Sequence, residues 1–147
     1  MKISESLKRG GVGIIPTDTL YGLVGSALKI KAVERIYSLR QRDTHKPFII
    51  LIGSFADLKK FGAKPHPLLR QLWPGAFSVI LPLNRLGAKR FKYLHRGGKT
   101  IAFRLPKLAW LRRLLHRTGP LVAPSANPAH LPPAQTIAQA KKYFGDK

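Results

Sequence analysis

The apolar run Val12–Ile15 stops at Pro16 and is followed by Thr17, Asp18, Thr19 and Tyr21 in the stretch PTDTLYG. Three hydroxyl groups and a carboxylate at the end of a strand-like segment can hydrogen-bond a small polar ligand. A second apolar run ends the same way: LVAPSAN sets Ser125 and Asn127 just after Pro124. A third cluster, SLRQRDTHKPFIIL, carries Arg40, Arg42 and Lys46 between a helix-like and a strand-like segment. Arginine forks match phosphate and carboxylate geometry, and lysine adds a point charge. The fourth feature is Arg104 in TIAFRLP, a cation in an otherwise apolar segment. Such a charge is costly to bury unpaired. The chain holds only 6 Asp and Glu, so a ligand carboxylate or phosphate is a natural partner. Two of these clusters also have a plainer reading. Thr and Asp form turns that bond their own backbone, Arg40 answers a helix dipole, and Lys46 is a solvated loop charge.

Other chemistries find no footing. His45, His66, His95, His116 and His130 show no paired ligand spacing, and there is no cysteine, so no metal site is expected in the protein itself. Neither a phosphate loop of Walker type nor a G-x-G-x-x-G turn is present, and no G-x-S-x-G elbow supports a serine triad. The lack of cysteine fits a cytoplasmic protein. No apolar run approaches the ~20 residues of a membrane span, and MKISESLKRG has no continuous apolar core of a secretory signal.

Charge is the strongest global feature. Lys and Arg number 27 against 6 Asp and Glu. Leu58 to Gly145 contains no acid but 17 Lys or Arg. Such a field attracts polyanions: RNA, DNA, nucleotides or anionic membranes. Within it, Phe91 and Tyr93 stand among Lys89, Arg90, Lys92 and Arg96. Two readings fit: aromatics that stack bases beside phosphate contacts, or anchors of a basic hairpin.

These side chains need a frame to converge. Ser4 to Arg9 reads as a short helix capped by Ser4, and VGIIP as a strand. Lys29 to Arg40 has helical apolar spacing, and FIILI reads as a strand covered on both faces. Ser54 is the expected cap of a helix that stops at Gly62, and PLLRQLWPG a helix ended by Pro74-Gly75. FSVILPL, TIAFRLP and LVAPS read as strands, LAWLRRLLHRTG and TIAQAKKYFG as helices, the last capped by Thr136. Residues 84–99 read as a long basic loop or hairpin. The alternation implies one α/β domain on a largely parallel or mixed sheet, with ligands outside strand carboxyl ends.

In order along the chain, PTDTLYGL, RQRDTHKPFIILI, LWPGAFSVIL, TIAFRLP and PSANPAHLPPAQT resemble the motifs of the YrdC family, the threonylcarbamoyl-AMP synthases. The resemblance covers nearly everything from Gly10 on. It implies an open, twisted mixed α/β sheet of YrdC type with a large, positively charged concave cavity. Residues 1–147 would form a single such domain, lacking C-terminal strands through which relatives continue. It further implies an enzyme that joins L-threonine, bicarbonate and ATP, with Mg2+ assisting, into threonylcarbamoyl-adenylate and pyrophosphate. Partner proteins would then transfer the threonylcarbamoyl group to an adenosine in tRNA. By resemblance Thr17, Thr19, Tyr21 and Arg104 face threonine, and Arg40, Arg42 and Lys46 face phosphates, with Arg40 and Arg42 catalytic. Ser125 and Asn127 face the nucleotide. Arg40-Gln41-Arg42 departs from the family's usual Lys-x-Arg, which alters the donor geometry at phosphate. The basic surplus keeps a second expectation open: a non-catalytic RNA-binding protein, for tRNA or double-stranded RNA, on the same fold.

Overall fold

A computed structural model describes residues 2–145 of the chain; Met1, Asp146 and Lys147 lie outside the described residues. Eight helices and six strands follow in the order α1 (Ile3–Lys8), β1 (Val12–Pro16), β2 (Tyr21–Ser26), α2 (Ile30–Arg40), β3 (Ile50–Leu51), α3 (Asp57–Lys60), α4 (Leu69–Leu72), β4 (Val79–Pro82), α5 (Arg85–Arg90), α6 (Lys92–His95), β5 (Thr100–Arg104), α7 (Ala109–Thr118), β6 (Leu121–Val122) and α8 (Ile137–Phe144) among the described residues. The strands form one open sheet in the order β1-β2-β6-β3-β5-β4. Only β3 and β5 run parallel; the other neighbouring pairs are antiparallel. The sheet is therefore mixed, and the largely parallel alternative does not hold.

Short strands alternate their side chains between two apolar layers. On one face Ile50, Phe103 and Val122 pack with Ile36 and Tyr37 of α2, and with Phe61, Phe91 and Leu94. On the other, Leu51, Leu121, Ile15 and Val24 pack with Leu7 of α1 and with Leu111, Leu114 and Leu115 of α7. The second layer is the smaller of the two.

Several local expectations are corrected. α1 starts after Lys2 with no side-chain cap, and Ser4 sits buried inside it. Ser54 does not cap α3; instead the Asp57 carboxylate accepts from the Gly53 amide at 2.9 Å and closes that turn from within. Residues 84–99 are neither loop nor hairpin. They fold into α5 and α6, because Asn84 Oδ1 accepts from the Gly87 amide at 2.8 Å and starts a helix. Tyr21–Ser26 is a strand that the run of small residues hides. Thr136 does cap α8, accepting from the Gln139 amide at 3.1 Å.

Gly87 shows how tightly α5 is seated. A Cβ there would run into the carbonyl oxygen of Phe61. At Gly98 the nearest atom to an added Cβ is 3.7 Å away, an ordinary contact. Gly87→Ala is therefore expected to cost about 1–3 kcal/mol of unfolding free energy by overpacking. Gly98→Ala should stay within about 0.5 kcal/mol. Denaturant titration of both variants checks this; equal losses would contradict the seating of α5.

Candidate active site

The sheet directions gather the motifs. The carboxyl ends of β1 and β6, the start of β2 and the approach to β3 all lie at one edge, as the β1–β2, β2–β6 and β3–β6 registers require. Pro16 leads into a tight turn. Thr17 Oγ1 donates to the Leu20 carbonyl at 2.5 Å and accepts from the Thr19 and Leu20 amides at 3.2 Å. Thr17 thus spends its hydroxyl on its own turn, as short hydroxyls do. Thr19 is exposed, with its Oγ1 3.2 Å from Thr17 Oγ1, and Tyr21 is half-buried at the start of β2.

The segment after β6 continues the sheet. Ser125 bridges to Gly22, the Leu23 amide donates to the Pro124 carbonyl at 2.9 Å, and the Ala126 amide donates to the Tyr21 carbonyl at 2.9 Å. A cavity of about 160 Å3 lies between these strands, lined among others by Thr17, Thr19, Tyr21, Ile49, Arg104 and Ser125. At roughly 30 Å3 per water, that is room for a few small-molecule heavy atoms, not for a nucleotide. A second hollow of about 260 Å3 shares Thr17, Thr19, Leu20 and Tyr21 with it and is closed by Ala134 and Gln135.

Arg104 enters the cavity because it follows Phe103. Phe103 faces the α2 layer, so Arg104 turns to the other face. Its guanidinium meets Asp18 at 3.2 Å, with side-chain exposures of 8% and 14%. The contact lacks hydrogen-bond alignment: both Asp18 carboxylate oxygens and Arg104 Nε are buried with no hydrogen-bond partner. Burial lowers the pKa of Arg104, and Asp18 opposes that shift.

Arg40 does a different job. Its Nε donates to the Asn127 carbonyl at 2.9 Å, and one terminal nitrogen reaches Ser125 Oγ and Asn127 Oδ1, each at 3.4 Å. Ser125 Oγ in turn donates to Asn127 Oδ1 at 2.6 Å, and Asn127 Nδ2 donates to the Leu131 carbonyl at 2.7 Å. Arg40 is 5% exposed. Burial, and then the neighbouring Arg42, bring its pKa down to about 10. Only Nη1 of Arg40 remains without a partner. Arg42 is less committed. One nitrogen donates to the Pro47 carbonyl at 3.2 Å, its guanidinium lies 5.3 Å from the Phe48 ring centre, and its Nε is buried and unpartnered. Lys46 is exposed on the loop after α2; its carbonyl accepts from the Tyr37 hydroxyl at 2.7 Å, and its side chain does not line the cavity.

The structure thus brings together Thr17, Thr19, Tyr21, Arg104 and Ser125, joins Arg40 and Asn127 to them through Ser125, and sets Arg42 and Lys46 at the margin. The residue pattern alone does not pair Asp18 with Arg104, although Asp18 is the only acid in PTDTLYG. A resident metal does not fit. Among the described residues no three His, Cys, Asp or Glu gather to hold an ion, and Asp18 is already committed to Arg104.

The Sua5, YciO and YrdC family model, described as telomere recombination, matches residues 5–147. The chain belongs to this family. A threonylcarbamoyl-AMP synthase of Marinobacter nauticus is 34% identical over 151 residues, covering 97% of this chain and 77% of that protein. The Pyrococcus abyssi threonylcarbamoyl-AMP synthase is 30% identical, and this chain spans only 42% of its length. The crystal structure of P. abyssi Sua5 complexed with L-threonine superposes with a TM-score of 0.81 at 30% identity, over 95% of this chain and 42% of that one. Escherichia coli YciO shares the fold, with a TM-score of 0.80 at 24% identity, over 97% of this chain and 71% of that one. The open mixed sheet is therefore the family's fold.

If Asp18 holds Arg104 in the cavity wall, Asp18→Asn strands a buried cation. We expect a loss of about 3 kcal/mol, the low end for breaking a buried pair because the cavity admits water. Asp18→Asn combined with Arg104→Met should recover part of that loss. Urea unfolding of the single and double variants measures it; a single variant as stable as the parent would dissolve the pair.

Proposed function

We propose that this domain makes threonylcarbamoyl-adenylate from L-threonine, bicarbonate and ATP. The observation that carries the reading is the set of buried, unpartnered nitrogens at and beside one small cavity: Arg104 Nε, Arg40 Nη1 and Arg42 Nε. Buried polar groups of a folded protein are normally satisfied, and gathered guanidinium donors favour an anionic acceptor over a neutral one. Membership in a family that includes threonylcarbamoyl-AMP synthases supports a threonine carbamate and ATP as those anions.

In this reading the threonine carboxylate meets Arg104, and Thr19 and Tyr21 meet its hydroxyl, with Thr17 shaping the turn that presents them. The amine captures bicarbonate as a carbamate, with loss of water. A carbamate oxygen then attacks the α-phosphorus of ATP; the bond to the β-phosphate oxygen breaks, and pyrophosphate leaves. Both reactants are anionic. The chain therefore contributes alignment and neutralisation by Arg40 and Arg42 rather than a strong base. Ser125 and Asn127 take the nucleotide side, and Lys46 reaches the outer phosphates. ATP enters as its magnesium salt, the ion held by phosphate oxygens and water. The adenylate passes to transfer proteins that act on a tRNA adenosine, a reaction placed in the cytoplasm. Among the described residues no helix is long and apolar enough to cross a membrane.

The test is threonine-dependent release of pyrophosphate. Turnover should disappear when 2-aminobutyrate replaces threonine, because a site built to bond a hydroxyl is left with unpaired groups. Arg42→Ala should lower the rate at least about tenfold, from a charge-assisted contact of about 1.5–3 kcal/mol, with the melting temperature near that of the parent. Equal turnover of both amino acids, or full activity in a folded Arg42→Ala protein, would overturn the assignment.

A further inference from the structure

Away from the cavity, two places join apolar surface to positive charge. In the first, at α5 and α6, Phe91 is buried, and Tyr93 packs against the core while its hydroxyl donates to the Ala27 carbonyl at 2.7 Å. Both rings anchor the fold and are not a platform for stacked bases. The second place is a pocket of about 550 Å3 between α3 and α4. It shares no lining residue with either hollow at the β1–β2 turn, so the proposed reaction does not use it.

Most of this pocket is carbon. Leu58, Ala63 and Leu69 line it and are buried, and Pro65 and Pro67 add rigid apolar surface. Its charged and donor groups are Lys59, His66 and Arg70, all three exposed. Among the described residues neither Lys59 nor Arg70 is ion-paired. The adjacent acid, Asp57, is engaged elsewhere: its carboxylate accepts from the Gly53 amide at 2.9 Å and pairs with Lys60 at 3.0 Å. From Leu58 to Gly145 the chain has no other acid to offer. Arg70 is steadied over the lining ring of Phe55, 5.2 Å from its centre. His66 Nδ1 accepts from the Leu68 amide at 3.2 Å, which leaves Nε2 as its donor.

This combination restricts the occupant. Small-molecule sites are concave and mostly apolar, about 300–1,000 Å3, with a few polar groups that fix orientation. A polyanion would lay its charges against Leu58, Leu69 and the prolines, which offer no donor. A wholly apolar molecule would cover the cations and give them nothing in return. A second copy of this chain, at net charge +21, brings like charge to the same rim.

We propose that the α3–α4 pocket binds a small anionic amphiphile, an apolar body with one carboxylate head, of the size of a medium-chain fatty acid. The body lies on Leu58, Ala63 and Leu69, and the head meets Lys59 and Arg70. This rests on neither the family nor the proposed reaction.

The experiment titrates decanoate into the whole chain by calorimetry, with decylammonium as its cationic counterpart. Decanoate should bind saturably at one site, and decylammonium should not. Ala56→Trp, at an exposed lining position, fills the pocket and should abolish binding. Lys59→Gln with Arg70→Gln should weaken it about three- to tenfold, as expected for exposed ion pairs. Lys141→Gln with Lys142→Gln removes the same charge elsewhere and should leave the affinity in place. The protein also carries its own reporter. Trp73 is buried with its ring centre 5.9 Å from that of Phe55, and Trp110 is the only other tryptophan. In a Trp110→Phe background, decanoate brominated on its chain should quench the remaining emission.

No saturable decanoate binding, equal binding of decylammonium, or full binding in Ala56→Trp overturns the proposal. Equal losses in the two double variants do the same. Should Ala56→Trp melt early, the double variants and the quenching decide. Vesicles of phosphatidylglycerol form a separate arm: binding to them without binding of free decanoate would assign this face to a membrane surface and overturn the small-molecule site. Every readout is made without turnover, so failure here leaves the synthase reading where it stands.

Discussion

The guanidinium of Arg40, buried between the end of α2 and the Ser125–Asn127 segment, holds the two halves of the cavity in register. Its backbone takes part as well: the Ala129 amide donates to the Arg40 carbonyl at 2.6 Å. Without this clasp, α2 and the segment after β6 have no described polar link. The arrangement is electrostatically demanding. A cation is placed 5% exposed, with Arg42 close enough to push its pKa further down, and no acid nearby takes up the charge. Neutral carbonyl and hydroxyl oxygens meet part of the demand. The ring of Phe48, 5.9 Å from Arg40 and 5.3 Å from Arg42, meets a further part, and Arg40 Nη1 is left without a partner.

From this constraint the character of the site follows. Cations held in place by packing, with nitrogens unsatisfied, favour an anionic occupant over water. They need not reorganise when it arrives. Asp18 limits the effect at one point: it holds Arg104 in the wall without hydrogen-bonding it, so the guanidinium keeps free donor capacity. The Phe48 ring also stacks on Tyr37 at 4.0 Å, and Arg96 covers the other side of Tyr37. The arginines beside the cavity and Arg96 thus share one stack of rings.

Much of this is legible in the residues. The β1 and β5 segments, α2 and α7 follow from apolar periodicity and stand where it puts them. The motif residues converge because strand ends carry them, and proline after an apolar run marks such ends. What is not legible has physical causes. β2 is rich in Gly, and its strand state is imposed by pairing with β1 and β6, not by propensity. α5 contains Gly87, which propensity disfavours, yet the Asn84 cap and the close seat against Phe61 select a helix. Asp57 closes its turn through Gly53, a contact that no spacing rule announces. In the sequence Arg40 reads as a phosphate ligand or a helix-terminal cation; only the contact to Asn127, 87 positions away, reveals a buried clasp.

The proposed reaction joins two anions, a carbamate and a nucleotide, and would leave a chemical signature in its product. That signature is read by a mass spectrum of the nucleotide formed from threonine, ATP and carbon-13 bicarbonate. The expected species is an adenylate that carries one labelled carbon between the threonine nitrogen and the AMP phosphate. An unlabelled threonyl-adenylate, or no threonine-containing nucleotide at all, would contradict the proposed joining of carbamate to nucleotide at the mouth of this cavity.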